Sequence, residues 1–363
     1  MEDTDAVNRI YRQLARHLDH LPGGFGSYDE AIERRLLQKL FTPEEAELAT
    51  HLTLMREDAE TVAARAGLRP DEAARLLDEM AQKGLILSVH AENCAPQYAA
   101  APFVVGIYEY QVNRLDAEYL QLLGDYWRTR KPSPRVGGPQ MRTIPVRESI
   151  DARLEVLPYE HVDALVAAQD RFAVAPCICR RTARMAGEGC DAPEESCLIF
   201  GDWAEYYART GRGRAIDRDE VKAILARADA ANLVLQPSNS SEAAFICCCC
   251  GCCCGVLNGL KRNPKPAEVV VNAFIAQFDA ELCLNCGTCL GRCQMEALTE
   301  GVTGGPAHVE FNSDRCIGCG LCVSTCPSGA LTLVRKPDYE HPEPAPTLDD
   351  AWRRIARGQA MSV

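Results

Sequence analysis

No stretch of the chain offers the run of about 18 apolar residues that a membrane-crossing helix needs. No glycine-rich dinucleotide fingerprint follows a strand-like run, and there is neither a phosphate-cradling P-loop nor a Cys-x2-Cys-His haem site. Nicotinamide, nucleotide and c-type haem chemistry therefore lack their usual sequence signs. The seven histidines are scattered, and none sits beside a plausible nucleophile. Positive charge is also short: 39 Lys and Arg stand against 51 Asp and Glu, a net charge of −12. Nucleic-acid binding rests on cations that neutralise phosphate and is disfavoured here. Docking on basic protein partners is compatible with the charge, and so is simple solubility. The opening MEDTDAVNRI is acidic and has no apolar core, so it reads as neither a secretory nor a mitochondrial targeting segment. The expected location is the cytoplasm, where thiols stay reduced.

What is abundant is cysteine, 20 in 363 residues. Secreted disulfide scaffolds are short chains, and adjacent cysteines make poor partners for one another because disulfide geometry is restrictive. Metal ligation is the reading that remains. The densest stretch is FICCCCGCCCG, with seven cysteines between Cys247 and Cys254 broken only by Gly251.

The expected architecture is α+β. A mostly helical, multi-domain chain would carry a winged-helix-like N-terminal domain, a cysteine-rich α/β middle region and a small C-terminal cysteine-bearing domain. Residues 4–20 show helical periodicity and form an N-terminal helix in the span 1–27. Residues 28–95 read as helix 32–41, helix 42–52, helix 57–67, helix 69–84 and strand 85–90. Thr42, Pro43 and Glu45 form a capping-box arrangement, and Gly67 suits a helix C-terminus. Short helices around a turn, a longer helix and a strand resemble a winged helix-turn-helix. Its third helix offers Arg69, Arg75 and Lys83 against Asp71, Glu72, Asp78 and Glu79, a poor phosphate-reading face. Residues 96–150 connect, opening with a strand-like 101–112, then a helix over 114–130 and a Pro/Gly linker over 131–140. The cysteine-rich region spans 151–265, with helices over 158–170, 202–210 and 218–232, the last capped by Asp217. A second linker covers 263–268, the small domain 278–336 and a tail 337–363, expected to be extended over 337–350 and to end in a short helix or frayed last dozen residues.

The strongest motif is Cys283-x2-Cys286-x2-Cys289-x3-Cys293, followed by Cys316-x2-Cys319-x2-Cys322-x3-Cys326-Pro327. A tight loop can present three sulfurs to one iron–sulfur cube, whose four irons each want a thiolate. Zinc sites use paired Cys-x2-Cys units instead. The spacing resembles bacterial two-cluster ferredoxins, with all eight ligand positions matched. In that fold the fourth ligand comes from the other motif. The resemblance therefore implies two [4Fe–4S] clusters, one on Cys283, Cys286, Cys289 and Cys326, the other on Cys316, Cys319, Cys322 and Cys293. Gln294 departs from the pattern, standing where proline usually follows.

The middle cysteines follow no spacing that fixes what they bind. Cys177, Cys179, Cys190, Cys197, Cys247, Cys249, Cys250, Cys252, Cys253 and Cys254 are candidate ligands for one or more further clusters. Adjacent cysteines in extended backbone point to opposite sides, so the run cannot serve one cube. Gly251 is expected to supply a sharp turn or a positive φ, and 254–262 reads as a helix start. Cys248 is as readily a buried thiol, and Cys94 is read as inert. Arg180 and Arg181 would set positive charge beside a cluster. Two Cys-Cys-Gly triplets resemble those of heterodisulfide-reductase-like proteins, whose wider spacing this chain does not share. Over most of its length the chain resembles a group of bacterial 4Fe–4S binding proteins, through PFVVGIYE (102–109), PCICR (176–180), ESCLIFGDWAEYY (195–207) and ICCCCGCCCG (246–255). That resemblance implies anaerobic electron transfer with redox protein partners, such as a flavoprotein or reductase complex. The alternatives are a reductase subunit with a substrate-binding middle cluster, a redox-responsive winged-helix regulator, and cluster storage or delivery.

Overall fold

The computed structural model describes residues 2–91, 93–131, 139–301, 308–337 and 343–360. It is a mixed helix-and-sheet chain that divides into two compact units. One comprises Met1–Gln140, Asp202–Arg214 and Leu348–Val363; the other comprises Met141–Gly201 and Ala215–Thr347. No helix among the described residues is long and apolar enough to cross a membrane.

The first unit begins with helices Glu2–Asp19, Glu30–Leu40 and Pro43–Ala49. The Thr42 side chain accepts from the Glu45 N–H while the Glu45 carboxylate accepts from the Thr42 N–H, so two free helix-end donors are satisfied reciprocally. Helices Ala59–Ala66 and Pro70–Lys83 both end on left-handed glycines, Gly67 and Gly84. A three-stranded antiparallel sheet follows, with Gln97–Ala100 between Glu57–Asp58 and Ile86–Val89. The strand expected over 101–112 is absent. The extended segment ends at Ala100, and Pro102 leads into an irregular turn, Phe103–Ile107, in which Val105 has φ 59°. Helix Ala117–Thr129 lies inside the expected span. Residues 132–138 of the expected linker fall outside the described residues.

Two later segments complete this unit. Helix Gly201–Arg209 places Tyr206, whose hydroxyl donates to the Ile86 carbonyl at 2.8 Å. Buried Arg212 donates to the carbonyls of Tyr110 and Gln82 at 2.9 and 2.7 Å. The tail forms helix Leu348–Ala360, where Trp352 packs edge-on against Trp203 at 5.3 Å and donates to Gln140 at 2.7 Å.

In the second unit four strands of a five-stranded sheet run antiparallel in the order Phe172–Pro176, Glu195–Phe200, Phe245–Cys249, Val234–Pro237. Their register sets Cys197 opposite Cys247. Helix Ile178–Met185 follows the first strand, with Cys177 at its N-cap; helix Gly255–Lys261 follows the third, with Cys254 at its N-cap. Asp217 caps helix Arg218–Ala230 by accepting from Glu220 N–H at 2.8 Å. The expected second linker instead contains a short helix, Pro266–Val269, begun by its proline. The C-terminal segment of the unit is built on two antiparallel pairs, Phe274–Phe278 with Leu331–Arg335 and Leu298–Glu300 with Val309–Phe311.

The sheet and this C-terminal segment share one core. Met295, Ile317 and Leu321 pack with Ile246, Cys248 and Leu257. Arg292 fastens the two from within. Its guanidinium donates to the carbonyls of Leu321 and Asp229, to Asn232 and Ser324, and pairs with the Asp229 carboxylate at 2.7 Å. Removing one partner of a largely buried pair strands the other groups. Arg292→Ala should therefore cost roughly 3 kcal/mol and shift anaerobic urea unfolding, followed by circular dichroism, to lower denaturant. Lysine should restore little, because it lacks the planar fork.

Candidate metal centres

Three sets of thiols converge in the second unit. The first is the eight-cysteine C-terminal segment. Cys283, Cys286, Cys289 and Cys326 line one cavity with Phe278, Leu331 and Pro327. The two motifs thus meet across the fold, three sulfurs from one loop and one from the other. Cys286 is exposed, and Leu282 and Leu284 beside it stand 52% and 69% exposed, so this cavity opens at the surface. Cys316 and Cys322 are buried and Cys319 is partly buried. Burial pushes the Cys319 thiol up to about 12, and the charges of Cys293 and Cys316 add to the rise. Backbone N–H groups aim at sulfur in both sets: Ala297 at Cys293 (3.2 Å), Ala276 at Cys316 (3.4 Å) and Asn285 at Cys283 (3.4 Å).

The second set is a ring of six. The strand Phe245–Cys249 turns Cys247 and Cys249 to one face and Cys248 to the other, as strand alternation requires. On the ring face Cys177 lies against Cys179 and Cys197, Cys179 against Cys254, Cys254 against Cys249, Cys249 against Cys247, and Cys247 against Cys197. Sulfur-to-sulfur hydrogen bonds divide these thiols alternately. Those from Cys179 and Cys197 hold Cys177 well below the usual thiol range, those from Cys179 and Cys249 do so for Cys254, and those from Cys197 and Cys249 bring Cys247 down to about 6. Cys179, Cys197 and Cys249 are pushed up by the same bonds. Cys177 and Cys254 stand at helix N-caps, where the dipole favours a thiolate. Thiolate is the form that binds metal, so this donor set fits iron or another thiophilic metal.

The third set is Cys190, Cys250, Cys252 and Cys253, whose four sulfurs all lie within 4.8 Å of one another. Three of the four sit in the turn after strand Phe245–Cys249, and Cys190 comes from the loop after helix Ile178–Met185. Arg184 holds that loop by donating to the carbonyls of Cys190 and Ala192 at 2.8 and 2.7 Å. The loop can lie this close only because residue 189 is glycine; a Cβ there would stand 2.2 Å from Arg184 Cγ.

The cysteines read as ligands for one or more further clusters thus fall into two groups. Cys248 joins neither; it is a core thiol pushed up by burial. Cys94 is exposed and belongs to the first unit. Arg180 does face sulfur: it is fully buried, donates to Cys250 Sγ at 3.6 Å and to the Cys248 carbonyl at 3.3 Å, and lies near Cys177 and Cys190. Arg181 does not serve in the same way, because Glu194 takes its guanidinium at 2.5 Å.

Gln294 and Gly251 join the cysteine turn to the C-terminal segment. Gly251 N–H donates to Gln294 Oε1 at 2.6 Å, and a Cβ on residue 251 would stand 2.5 Å from the Gln294 carbonyl oxygen. Gly251 is thus needed for close approach; it is not among the residues with positive φ. The departure from proline at 294 was visible in the sequence, but its partner 43 residues away was not.

Residues 276–333 match the family model of the 4Fe-4S dicluster domain. Neither a search of curated proteins nor one of solved structures finds a significant match. A dicluster domain beside a cysteine-rich region makes the chain an iron–sulfur protein. Gly251→Ala should destabilise it by roughly 1–3 kcal/mol through overpacking, seen as a lower thermal midpoint. Gln294→Ala, which removes only the hydrogen bond, should cost about 1 kcal/mol.

Proposed function

We propose that the chain relays single electrons between redox partners, through two ferredoxin-type [4Fe–4S] clusters and a further cluster held by the six-thiol ring. The contact of Gly251 with Gln294 carries this reading, because it sets the cysteine turn one residue from Cys293. Each cluster, when bound, takes up and gives back one electron, and the inorganic chemistry is its own. The protein supplies placement and electrostatics. Its thiols run from the set near exposed Leu284, through Cys293, Cys316, Cys319 and Cys322, of which Cys316 and Cys322 are buried, to the ring. A redox partner such as a flavoprotein or reductase complex would meet the exposed end. N–H groups aimed at Cys283, Cys293 and Cys316 stabilise the added charge and raise the potentials of those centres.

The first unit fits a winged-helix-like protein-docking module better than a DNA reader. The cations of helix Pro70–Lys83 and its cap are engaged by acids: Arg75 by Glu79 at 2.6 Å, Lys83 by Glu45 at 2.6 Å and Arg69 by Asp71 at 3.1 Å. A second reading rests on the ring itself. The six thiols are more than the four a cubane takes; were only three of them to ligate, one iron would stay open and the chain would be a reductase subunit whose middle cluster binds substrate, which a spectral change on adding a small molecule would mark.

The test is electron paramagnetic resonance of the anaerobically reduced full chain. The relay requires a paramagnetic centre beyond the two ferredoxin clusters. Cys179→Ser with Cys249→Ser should abolish that centre and leave the ferredoxin signals in place. Identical spectra from the parent and the double variant would refute the assignment.

A further inference from the structure

The two middle sulfur sets differ in how tightly they close. In the tetrad Cys252 and Cys253 stand 3.6 Å apart, Cys190 and Cys250 3.7 Å, and Cys190 and Cys253 3.8 Å. A single tetrahedral ion with metal–sulfur bonds of about 2.3 Å sets its four sulfurs about 3.8 Å apart. The observed edges therefore match one ion at the centre. An iron–sulfur cube cannot accept such edges, because iron and sulfide fill the middle and each thiolate stands a full bond beyond a corner. The chain contains its own comparison. Its dicluster domain presents eight cysteines with the cube-binding spacing, yet among the described residues the tetrad is the one set that closes to within 4.8 Å. The ring also stays open by this measure. Its neighbours touch, but no three of its sulfurs draw together as the tetrad's do.

We infer that Cys190, Cys250, Cys252 and Cys253 bind one thiophilic divalent ion, zinc or a single iron, at a site separate from the cluster in the ring. Several features fit that role. The ligands come from two loops, so one ion ties residue 190 to the turn at 250–253 across 60 residues of chain. The turn lets the adjacent Cys252 and Cys253 face the same way, which extended backbone forbids. Cys252 is exposed and Cys190 and Cys253 are half-exposed, which places the ion at the rim of the fold. Four thiolates and one divalent ion leave two negative charges, and Arg180 donates into this set through Cys250. The ion would brace the turn that carries Cys249 and Cys254 into the ring. Tetrahedral sulfur geometry selects zinc or iron over hard cations.

This inference rests on the middle region being metal-bearing, but its test separates the two claims. The full chain is purified anaerobically, and zinc, iron and acid-labile sulfide are counted for the parent and for Cys190→Ser with Cys253→Ser. The variant should lose about one metal ion per chain and no sulfide. Loss of about four irons with an equal amount of sulfide would show that the tetrad holds a cube and would overturn the inference. Unchanged metal would overturn it equally. Should the double variant not fold, Cys252→Ser changes only an exposed side chain, and loss of the ion without sulfide is again required. Failure of the relay reading looks different, as a parent protein without iron in the ring but with the tetrad ion still present.

Discussion

Thiolates facing one another inside a protein repel, and only cations set among them relieve the repulsion. The second unit is organised around that constraint. It gathers eighteen cysteines into an eight-cysteine domain, a ring of six and a tetrad. Protein groups answer little of the charge. Arg180 is buried against the tetrad, helix N-termini meet Cys177 and Cys254, and a few N–H groups point at the ferredoxin sulfurs. On the proposed reading metal supplies the rest, so that the fold and its inorganic content would be specified together.

The same constraint explains where glycine and arginine fall. Gly251 allows the turn to lie against Gln294, and Gly189 allows the Cys190 loop to lie on Arg184. Arg292 locks the C-terminal segment onto the helix and loop around Asp229. None of these residues is a ligand. Each fixes the distance between elements that carry the grouped cysteines, and the proposed electron relay would depend on that distance.

Legibility in the sequence followed the range of the interactions. The dicluster domain was readable because three cysteines of each motif lie within seven residues of one another. The Thr42–Glu45 capping box and the glycine stop at Gly67 were readable for the same reason. The partition of the middle cysteines was not. It depends on the register that sets Cys197 against Cys247, on strand alternation that turns Cys248 away, and on a loop that returns Cys190 to the turn. The strand expected over 101–112 failed at Pro102, where a hydrophobic run bends into a turn around Val105. Asp202–Arg214 joins the first unit through contacts more than 100 residues away in sequence, which no local pattern announces.

The account turns on the ring holding iron. The most direct measurement is an iron and sulfide count on the anaerobically isolated full chain. Two ferredoxin cubes account for about eight of each. The account predicts clear excess of both, with sulfide tracking the added iron. A count that stops at eight irons and eight sulfides would leave the six converging thiols without a cluster and would contradict it.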